Sequence, residues 1–261
     1  MKSARILFVG GLISYRALFG WLSPAVLIPT LVLTPIFQIL LFSYIGRAAH
    51  VRSDEFYVIG NAMQSASIPC LFAMSQTIAG ERFQQTLGYI LVSPAGRLPL
   101  FLGRALPVIA NGFFVSAFSM FAGSLLLSVH IHASAFAPLA LVILVATFSC
   151  TGLGLINAGL GLRVREVSVL SNILVGLLLV FTGANVAIST LPGWMADISS
   201  WLPLTHAIHA ARLVAAGASL TSIDGLLARE AGVGVLYAFV GYSILLFFET
   251  QSRRHATLAI T

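Results

Sequence analysis

Six stretches of roughly 20 residues with almost no charged side chains dominate this chain, and each has the length of a membrane-spanning helix. They cover residues 24–45, 56–79, 105–129, 136–161, 169–189 and 231–248. Each is predicted to be a helix, because a backbone exposed to lipid must satisfy its own hydrogen bonds and no barrel-like alternation is present. Only 8% of residues are charged and the mean hydropathy is +0.98, whereas a soluble domain has roughly 25% charged residues. We therefore expect an all-α integral membrane protein with a single transmembrane domain over residues 1–261.

The distribution of basic residues predicts the orientation, because short cytoplasmic loops retain lysine and arginine. With the N-terminus inside, the cytoplasmic basic residues are Lys2, Arg5, Arg16, Arg82, Arg97, Arg104, Arg163, Arg165, Arg253 and Arg254. The basic residues on the outer side are then Arg47, Arg52, Arg212 and Arg229. Both termini are therefore predicted to be cytoplasmic. The net charge of +6 follows from this topology. A nucleic-acid partner is not expected, because no basic patch is interleaved with aromatic residues.

Two segments outside the six stretches are predicted to lie at the membrane surface. Residues 1–20 carry Arg5 and Arg16 on one side of an otherwise apolar helix, which is typical of a helix at the inner surface. Between the fifth and sixth stretches, residues 190–230 contain Trp194 and Trp201, whose rings suit the headgroup level. Prolines in this interval mark turns. We expect it to form a short helical hairpin that dips into the outer leaflet.

A short cytoplasmic segment after the second stretch, from Glu81 to Pro94, is amphipathic. At 100° per residue its apolar face comprises Phe83, Leu87, Ile90 and Leu91, and its other face comprises Gln84, Gln85, Gly88 and Tyr89. Glu81 near the start and Pro94 at the end suit the two ends of a helix. A helix of about three turns is not stable alone in water. This one must lie on a membrane or on a partner protein.

Chemistry that the chain lacks excludes some functions. Lys2 is the only lysine, so the chain cannot contain the phosphate-binding lysine of a Gly-x-x-x-x-Gly-Lys-[Ser/Thr] loop. No acidic or basic residue falls in the middle of a predicted stretch, since Glu230 lies at the outer start of the sixth and Glu249 at its inner end. Ion-coupled carriers normally require such groups within the membrane. A carrier that works alone by ion coupling is therefore disfavoured.

Uncharged polar side chains do enter the predicted spans. Candidates to line a substrate path are Gln38, Asn61, Gln64, Asn172 and Asn185, from the first, second and fifth stretches. The alternative is that these amides form hydrogen bonds between helices, since they are costly to leave unpaired in lipid. Histidines occur in two outer pairs, and nothing in the sequence brings together the three or four ligands of a zinc site, so no metal is expected. Both cysteines lie in predicted spans, where a thiol behaves as a small apolar group.

The fourth stretch is rich in small residues. They are Gly152, Gly154, Ala158, Gly159 and Gly161. Small side chains let another helix backbone approach closely. We interpret this surface as one for helix packing, with an interface between two copies as the alternative.

Two motifs, together with the order of the segments, resemble one family. The first is Glu81-x-x-x-x-Thr86-Leu87-x-x-x-Leu91-x-Ser93-Pro94, and the second is Trp201-x-Pro203-Leu204-Thr205 followed after five residues by Ala211-Arg212. With six spans and both ends inside, the chain resembles the ABC-2 type permeases, the membrane subunits of bacterial ABC exporters. The drug-resistance and nodulation-export permeases are the most similar in kind. The resemblance covers essentially the whole chain.

The resemblance implies a partner for the amphipathic segment. Residues 84–93 would be a coupling helix that docks on a separate ATPase, with contacts from Glu81, Arg82, Phe83, Gln85, Leu87, Tyr89, Ile90 and Leu91. The family also implies two ATPase subunits, which hold ATP and Mg, and a second permease subunit, identical or homologous. The chain itself would bind no cofactor and would not be an enzyme.

The function implied is export of an amphiphilic small molecule, a drug, a lipid or a lipid-linked glycan across the bacterial cytoplasmic membrane. The alternative is a stand-alone ion-coupled or facilitative carrier. A third possibility is a membrane scaffold or enzyme that transports nothing.

Overall fold

The computed structural model describes residues 24–83, 97–161, 163, 164 and 166–255. Within these ranges the regular structure is helical throughout. The helices are α1 (Pro24–Ala49), α2 (Asp54–Gln64), α3 (Ser67–Phe83), α4 (Arg97–Leu126), α5 (Phe136–Leu160), α6 (Val167–Phe181), α7 (Gly193–Trp201), α8 (Thr205–Ala215) and α9 (Leu220–His255). Short 3₁₀ turns occur at Ala133–Ala135 and Ile188–Thr190. The predicted surface helix over residues 1–20 and the predicted coupling helix over 84–93 lie outside the described residues.

Four segments are long and apolar enough to cross a membrane, which makes the chain an all-helical, multi-pass membrane protein. They are Leu31–Ala49 in α1, Leu102–Leu126 in α4, Ala133–Leu160 over α5, and Leu220–Phe248 in α9. The remaining two of the six predicted spans are each interrupted. This count applies to the described part of the chain, and the expected six continuous spans are not all found there.

The second predicted span, over residues 56–79, is not one helix. It is divided into α2 and α3 by a break at Ser65 and Ala66. Pro69 explains the position of the break, because a proline ring clashes with the carbonyl four residues earlier, which here belongs to Ser65. The missing N–H of Pro69 then falls in the first turn of α3, where no intrahelical partner is needed. Ser65 Oγ donates to Ala62 O at 2.7 Å and lies 3.0 Å from Ser119 Oγ, a polar contact that joins the break to α4.

The fifth predicted span, over residues 169–189, ends early. Helix α6 ends at Phe181 after 15 residues, which at 1.5 Å per residue gives a length of about 22 Å. The hydrocarbon core of a bilayer is about 30 Å thick. Gly183 follows with a φ of 81°, a left-handed conformation that glycine adopts without strain. Residues 182–187 therefore continue from α6 as a non-helical segment.

The last predicted span, over residues 231–248, begins eleven residues too late. Helix α9 runs from Leu220 to His255, so residues 220–230 belong to it and not to the preceding hairpin. The prediction missed residues 220–230 because their charged side chains lower the mean hydropathy of any window that includes them. These residues are Asp224, Arg229 and Glu230. The predicted hairpin is present but shorter, and consists of α7 and α8. Trp194 and Trp201 are both exposed on α7.

Helix α5 lies at the centre of the fold. In the apolar 18-residue stretch of its membrane-crossing segment 61% of residues are buried, compared with 22% in those of α1 and α9. Its small residues allow close packing within the chain: a Cβ added at Gly152 would lie 2.8 Å from the carbonyl oxygen of Gly234 in α9. Gly154 in the same way faces the backbone of Cys70 in α3. The interpretation of this surface as one for helix packing is confirmed.

Candidate functional site

Three of the predicted path residues meet in one hydrogen-bonded group, which we call the amide cluster: Gln38, Asn61 and Asn185. Gln38 Nε2 donates to Asn61 Oδ1 at 3.1 Å. Asn61 Nδ2 donates in turn to Asn185 Oδ1 at 2.8 Å and to the carbonyl oxygen of Tyr57 at 2.9 Å. Asn61 is 1% exposed. The cluster thus joins α1, α2 and the non-helical segment after α6, which belong to the first, second and fifth predicted spans.

Gln64 lies one turn further along α2 and faces the same segment. Its Oε1 accepts a hydrogen bond from Thr182 Oγ1 at 3.2 Å, and its Nε2 donates to Ser67 Oγ at 3.3 Å. Asn172 is apart from the other four amides. It is exposed on α6 and donates to the carbonyl oxygen of Ser168, one turn earlier. The structure therefore brings four of the five predicted path residues to one region and leaves Asn172 outside it.

Gly60 is what lets the segment after α6 approach α2 so closely. A Cβ at this position would lie 2.3 Å from the carbonyl oxygen of Ala184 and 2.8 Å from the guanidinium of Arg212. Separations under 3 Å are not tolerated between such atoms, and one of the neighbours is backbone. Any larger residue at position 60 would separate Asn61 from Asn185.

Arg212, on α8, is the first residue of the site that was not among the predicted site residues. Its Nη2 donates to the carbonyl oxygens of Phe56 at 3.1 Å, Gly183 at 2.9 Å and Ala184 at 3.1 Å. Two of these carbonyls belong to the segment after α6, where non-helical backbone must find partners if it lies at membrane depth. The guanidinium also lies over the ring of Phe56, at 3.6 Å from its centroid.

The charge of Arg212 is retained at neutral pH. Burial, and secondarily the nearby charge of Arg52, lowers the pKa of Arg212 to about 10, which is still well above neutrality. The only signal for Arg212 in the sequence was its place at the end of the second family motif. Hydropathy alone gave no reason to place it inside the fold.

Glu230 is the second residue that sequence reasoning missed. Its carboxylate is fully buried and lies about three turns inside α9. It accepts hydrogen bonds from the backbone N–H groups of Leu204 at 2.7 Å, His206 at 3.1 Å and Ala207 at 3.2 Å, and from the hydroxyl of Ser149. Because the apolar segment of this helix begins at Leu220, Glu230 lies within the segment and not at its outer start, where it was predicted.

The carboxylate of Glu230 acts as an N-cap for α8, supplied by another helix. The first N–H groups of a helix have no intrahelical acceptor, and a negative charge there also suits the helix dipole. Leu204, the residue before α8, adopts a left-handed conformation with φ of 74°. Its side chain provides no cap of its own. A carboxylate that accepts four hydrogen bonds is arranged as a fixed anchor and not as a group that exchanges ions with water.

A second candidate surface is an apolar cleft between α4 and α5. It has a volume of about 670 Å³ and is lined mainly by apolar side chains, with Ser124, Ser128 and His130 as polar members. Phe121 and Phe136 line it and are more than half exposed. Because the cleft lies between two of the apolar membrane-crossing segments, we expect it to face the hydrocarbon of the membrane.

The histidines of the described residues do not gather into a metal site. No group of three or more histidine, cysteine or acidic side chains suited to a metal ion occurs in that part of the chain. His206 instead pairs its Nε2 with the carbonyl oxygen of Ser200 at 3.0 Å, between α7 and α8. Its contact is that of a polar cap at a helix end.

Four apolar segments long enough to cross a membrane, in a described chain whose regular structure is helical, define the class of the protein: an all-helical multi-pass membrane protein. The family model described as ABC-2 type transporter matches residues 8–215. The chain therefore belongs to the ABC-2 type transporter family, and its membrane domain is a transport permease and not a catalytic domain. The match includes the amide cluster and Arg212 and ends at the last residue of α8. No curated protein matches the chain closely enough to be compared with it.

Proposed function

We propose that the chain is the membrane subunit of an ATP-driven exporter. It moves an amphiphilic small molecule, a drug, a lipid or a lipid-linked glycan outward across the bacterial cytoplasmic membrane, and both of its termini are cytoplasmic. The observation that carries this proposal is the family match over residues 8–215. Lys2 is the only lysine of the sequence, so these residues contain no phosphate-binding loop, and we propose that a separate ATPase subunit supplies it.

In this proposal, the energy of ATP binding and hydrolysis reaches the permease through the coupling segment that follows α3. That helix ends with Glu81, Arg82 and Phe83, and the proposed coupling residues Gln85, Leu87, Tyr89, Ile90 and Leu91 follow directly in the chain. Two ATPase subunits close on ATP and Mg, and the coupling helices of two permease subunits move with them. Helix α3 then carries the movement to the break at Ser65 and Ala66, next to the amide cluster.

The amide cluster and the neighbouring Gln64 support a path for an amphiphilic substrate. Gln38, Asn61, Gln64 and Asn185 offer amide groups, while the surrounding helices offer apolar surface. Asn172 is exposed on α6, apart from the other amides, and is proposed to join the path when a second permease subunit packs against this helix. The five amides are thus proposed to face substrate in an assembly of two permeases.

The stand-alone carrier is the second candidate, and Glu230 is the observation that bears on it. A buried carboxylate in a span is the group that ion coupling uses. Here, however, its two oxygens accept hydrogen bonds from Ser149 and three backbone N–H groups. A coupling ion would have to displace these donors, so the carrier is not favoured.

The coupling proposal is tested with Leu87→Asp and Tyr89→Asp in proteoliposomes that contain the partner ATPase. A charge buried at a protein interface without a partner costs several kcal/mol, so ATP-dependent efflux should fall by about tenfold or more. Leu87→Met is the control, because it keeps an apolar side chain of similar size and should transport normally. Membrane insertion should be the same for all variants.

If efflux and co-purification with the ATPase both survive the two aspartates, the coupling assignment is wrong. Substrate movement by the permease alone, in liposomes without any ATPase, would establish the carrier instead.

A further inference from the structure

Arg52 and Arg212, two of the four basic residues on the predicted outer side, both lie near the ring of Phe56. The guanidinium carbon of Arg212 is 3.6 Å from the ring centroid of Phe56, and that of Arg52 is 5.6 Å from it. Arg52 belongs to the turn between α1 and α2, whereas Arg212 is on α8, 160 positions later in the sequence. The fold therefore gathers two positive charges around Phe56.

No acidic side chain neutralises this pair among the described residues. The ion pair found there joins Arg47 to Asp54, so the aspartate that follows Arg52 by two residues is already engaged. Glu55 is exposed and forms no ion pair with either guanidinium. The two guanidinium groups also repel each other, since the charge of Arg52 adds to burial in lowering the pKa of Arg212. Bringing the two cations together therefore costs free energy that the protein itself does not offset with an opposite charge.

Arg212 also has a hydrogen-bond donor to spare. Its Nη2 is used by three backbone carbonyls, but its Nε is buried and has no acceptor among the described residues. A buried donor without an acceptor costs about 1–3 kcal/mol, and more when it is charged. An anion beside the two guanidinium groups would relieve the repulsion between Arg52 and Arg212, and a small movement of the Arg212 side chain would bring the buried Nε to one of its oxygens.

The pair lies at the level where the apolar part of α1 ends. The membrane-crossing segment of α1 ends at Ala49, and Arg52 follows three residues later. Such a position is at the boundary between hydrocarbon and headgroups. Arginine is suited to phosphate groups because its planar fork presents several N–H donors in a fixed geometry.

We propose that Arg52 and Arg212, held on the ring of Phe56, form a binding site for a phosphate group at the membrane surface. The phosphate of an anionic glycerophospholipid and free inorganic phosphate share this chemistry, and the experiment distinguishes them. The site does not depend on the proposed transport function, because it concerns a bound anion whether or not the chain exports anything.

The decisive variant is Arg52→Gln, because Arg52 is exposed and its replacement leaves the carbonyl contacts of Arg212 intact. Arg229→Gln is the matched control, since Arg229 is an exposed arginine on α9 and its loss changes the net charge by the same amount. The full chain, purified and delipidated, is titrated with phosphatidylglycerol and with phosphatidylcholine, and bound lipid is counted by native mass spectrometry. Thermal unfolding with and without inorganic phosphate is measured in parallel.

We expect wild type and Arg229→Gln to retain phosphatidylglycerol more strongly than phosphatidylcholine. Arg52→Gln should bind it about tenfold more weakly, as expected for loss of one charge-assisted hydrogen bond. Stabilisation by inorganic phosphate in wild type and Arg229→Gln but not in Arg52→Gln would support the site with a free anion as its ligand. The proposal is overturned if Arg52→Gln and Arg229→Gln behave alike with both the lipid and the free anion.

Arg212→Lys provides an independent check. A lysine keeps the charge but cannot match the planar fork, so it should weaken phosphatidylglycerol binding even where the protein remains folded. Unchanged lipid binding by a folded Arg212→Lys protein would contradict the role given to Arg212.

Discussion

Two charged side chains fix the short helix α8, one at its N-terminus and one near its C-terminus. Glu230 of α9 accepts hydrogen bonds from the backbone N–H groups that open α8. Arg212 of α8 donates to backbone carbonyls of Phe56, Gly183 and Ala184. Helix α8 is thereby tied to α9 on one side and to α2 and the segment after α6 on the other. Its position relative to the last span depends on single residues.

Replacing Glu230 should loosen this attachment. In Glu230→Gln the amide group can no longer accept all four hydrogen bonds, and the lost cap should destabilise the protein by about 2 kcal/mol. Thermal unfolding in detergent measures the change, and hydrogen exchange should accelerate at residues 204–207 in particular. Asp224→Asn is the control, because Asp224 is an exposed acid on the same helix. Equal effects of the two substitutions would show that Glu230 is not a cap.

Arg212 should contribute no pH dependence near neutrality. The pKa of Arg212 in the folded state is lowered to about 10. The folded state therefore binds fewer protons than the unfolded state only near and above pH 10, and this group makes stability increase with pH only in that range. Arg212→Gln should destabilise the protein by an amount that stays constant between about pH 6 and 9. Unfolding of wild type and variant across that range is the measurement, with Arg229→Gln as control. A difference that changes across the range would contradict a cationic Arg212.

The packing of α5 against α9 depends on paired small residues along both helices. Gly152 of α5 faces the backbone of Gly234, and Gly241 of α9 faces that of Ile156. Membrane helices gain little from the hydrophobic effect when they associate, so close backbone contact is a main source of their stability. The contact therefore constrains position 241 more than its apolar surroundings suggest.

Gly241→Ala should disturb this contact. The added Cβ would lie 2.8 Å from the backbone nitrogen of Ile156, and overpacking of this kind costs about 1–3 kcal/mol. Gly176→Ala is the matched control, because Gly176 also lies in an apolar helix and a Cβ there meets nothing within 4 Å. The control should be neutral or slightly stabilising, since alanine favours helix. Thermal unfolding of the two variants compares them, and an equal loss of stability would exclude close packing as the cause.

The arrangement of the whole molecule across the membrane can be tested with single cysteines. Cys70 and Cys150 are fully buried, so the native thiols should give little background labelling. Ser222 and Thr250 are exposed near the two ends of α9. A membrane-impermeant maleimide should label Ser222→Cys in intact cells and Thr250→Cys only after permeabilisation. The reverse pattern would show that the predicted cytoplasmic termini are wrong.

Prediction from sequence was most successful for properties that sum over neighbouring residues. The fourth span was predicted over 136–161 and is observed as Phe136–Leu160, because no charge or break interrupts it. The prediction for the second span missed its break, that for the fifth span missed its early end, and that for the last span missed its early start. Pro69, Gly183 and Glu230 cause or accompany these deviations, and each acts through local geometry or a distant partner that mean hydropathy does not register.

The sequence by itself determined that this chain is a multi-pass, all-helical membrane protein of the ABC-2 type transporter family. Hydropathy and motif order are local properties, so they are present before the chain folds. Only the tertiary structure decided which polar groups meet. Asn61 and Asn185 are 124 residues apart in sequence, and Ser149 and Glu230 are 81 apart. Partners at such separations are selected by the packing of the helices between them, which no window along the sequence contains.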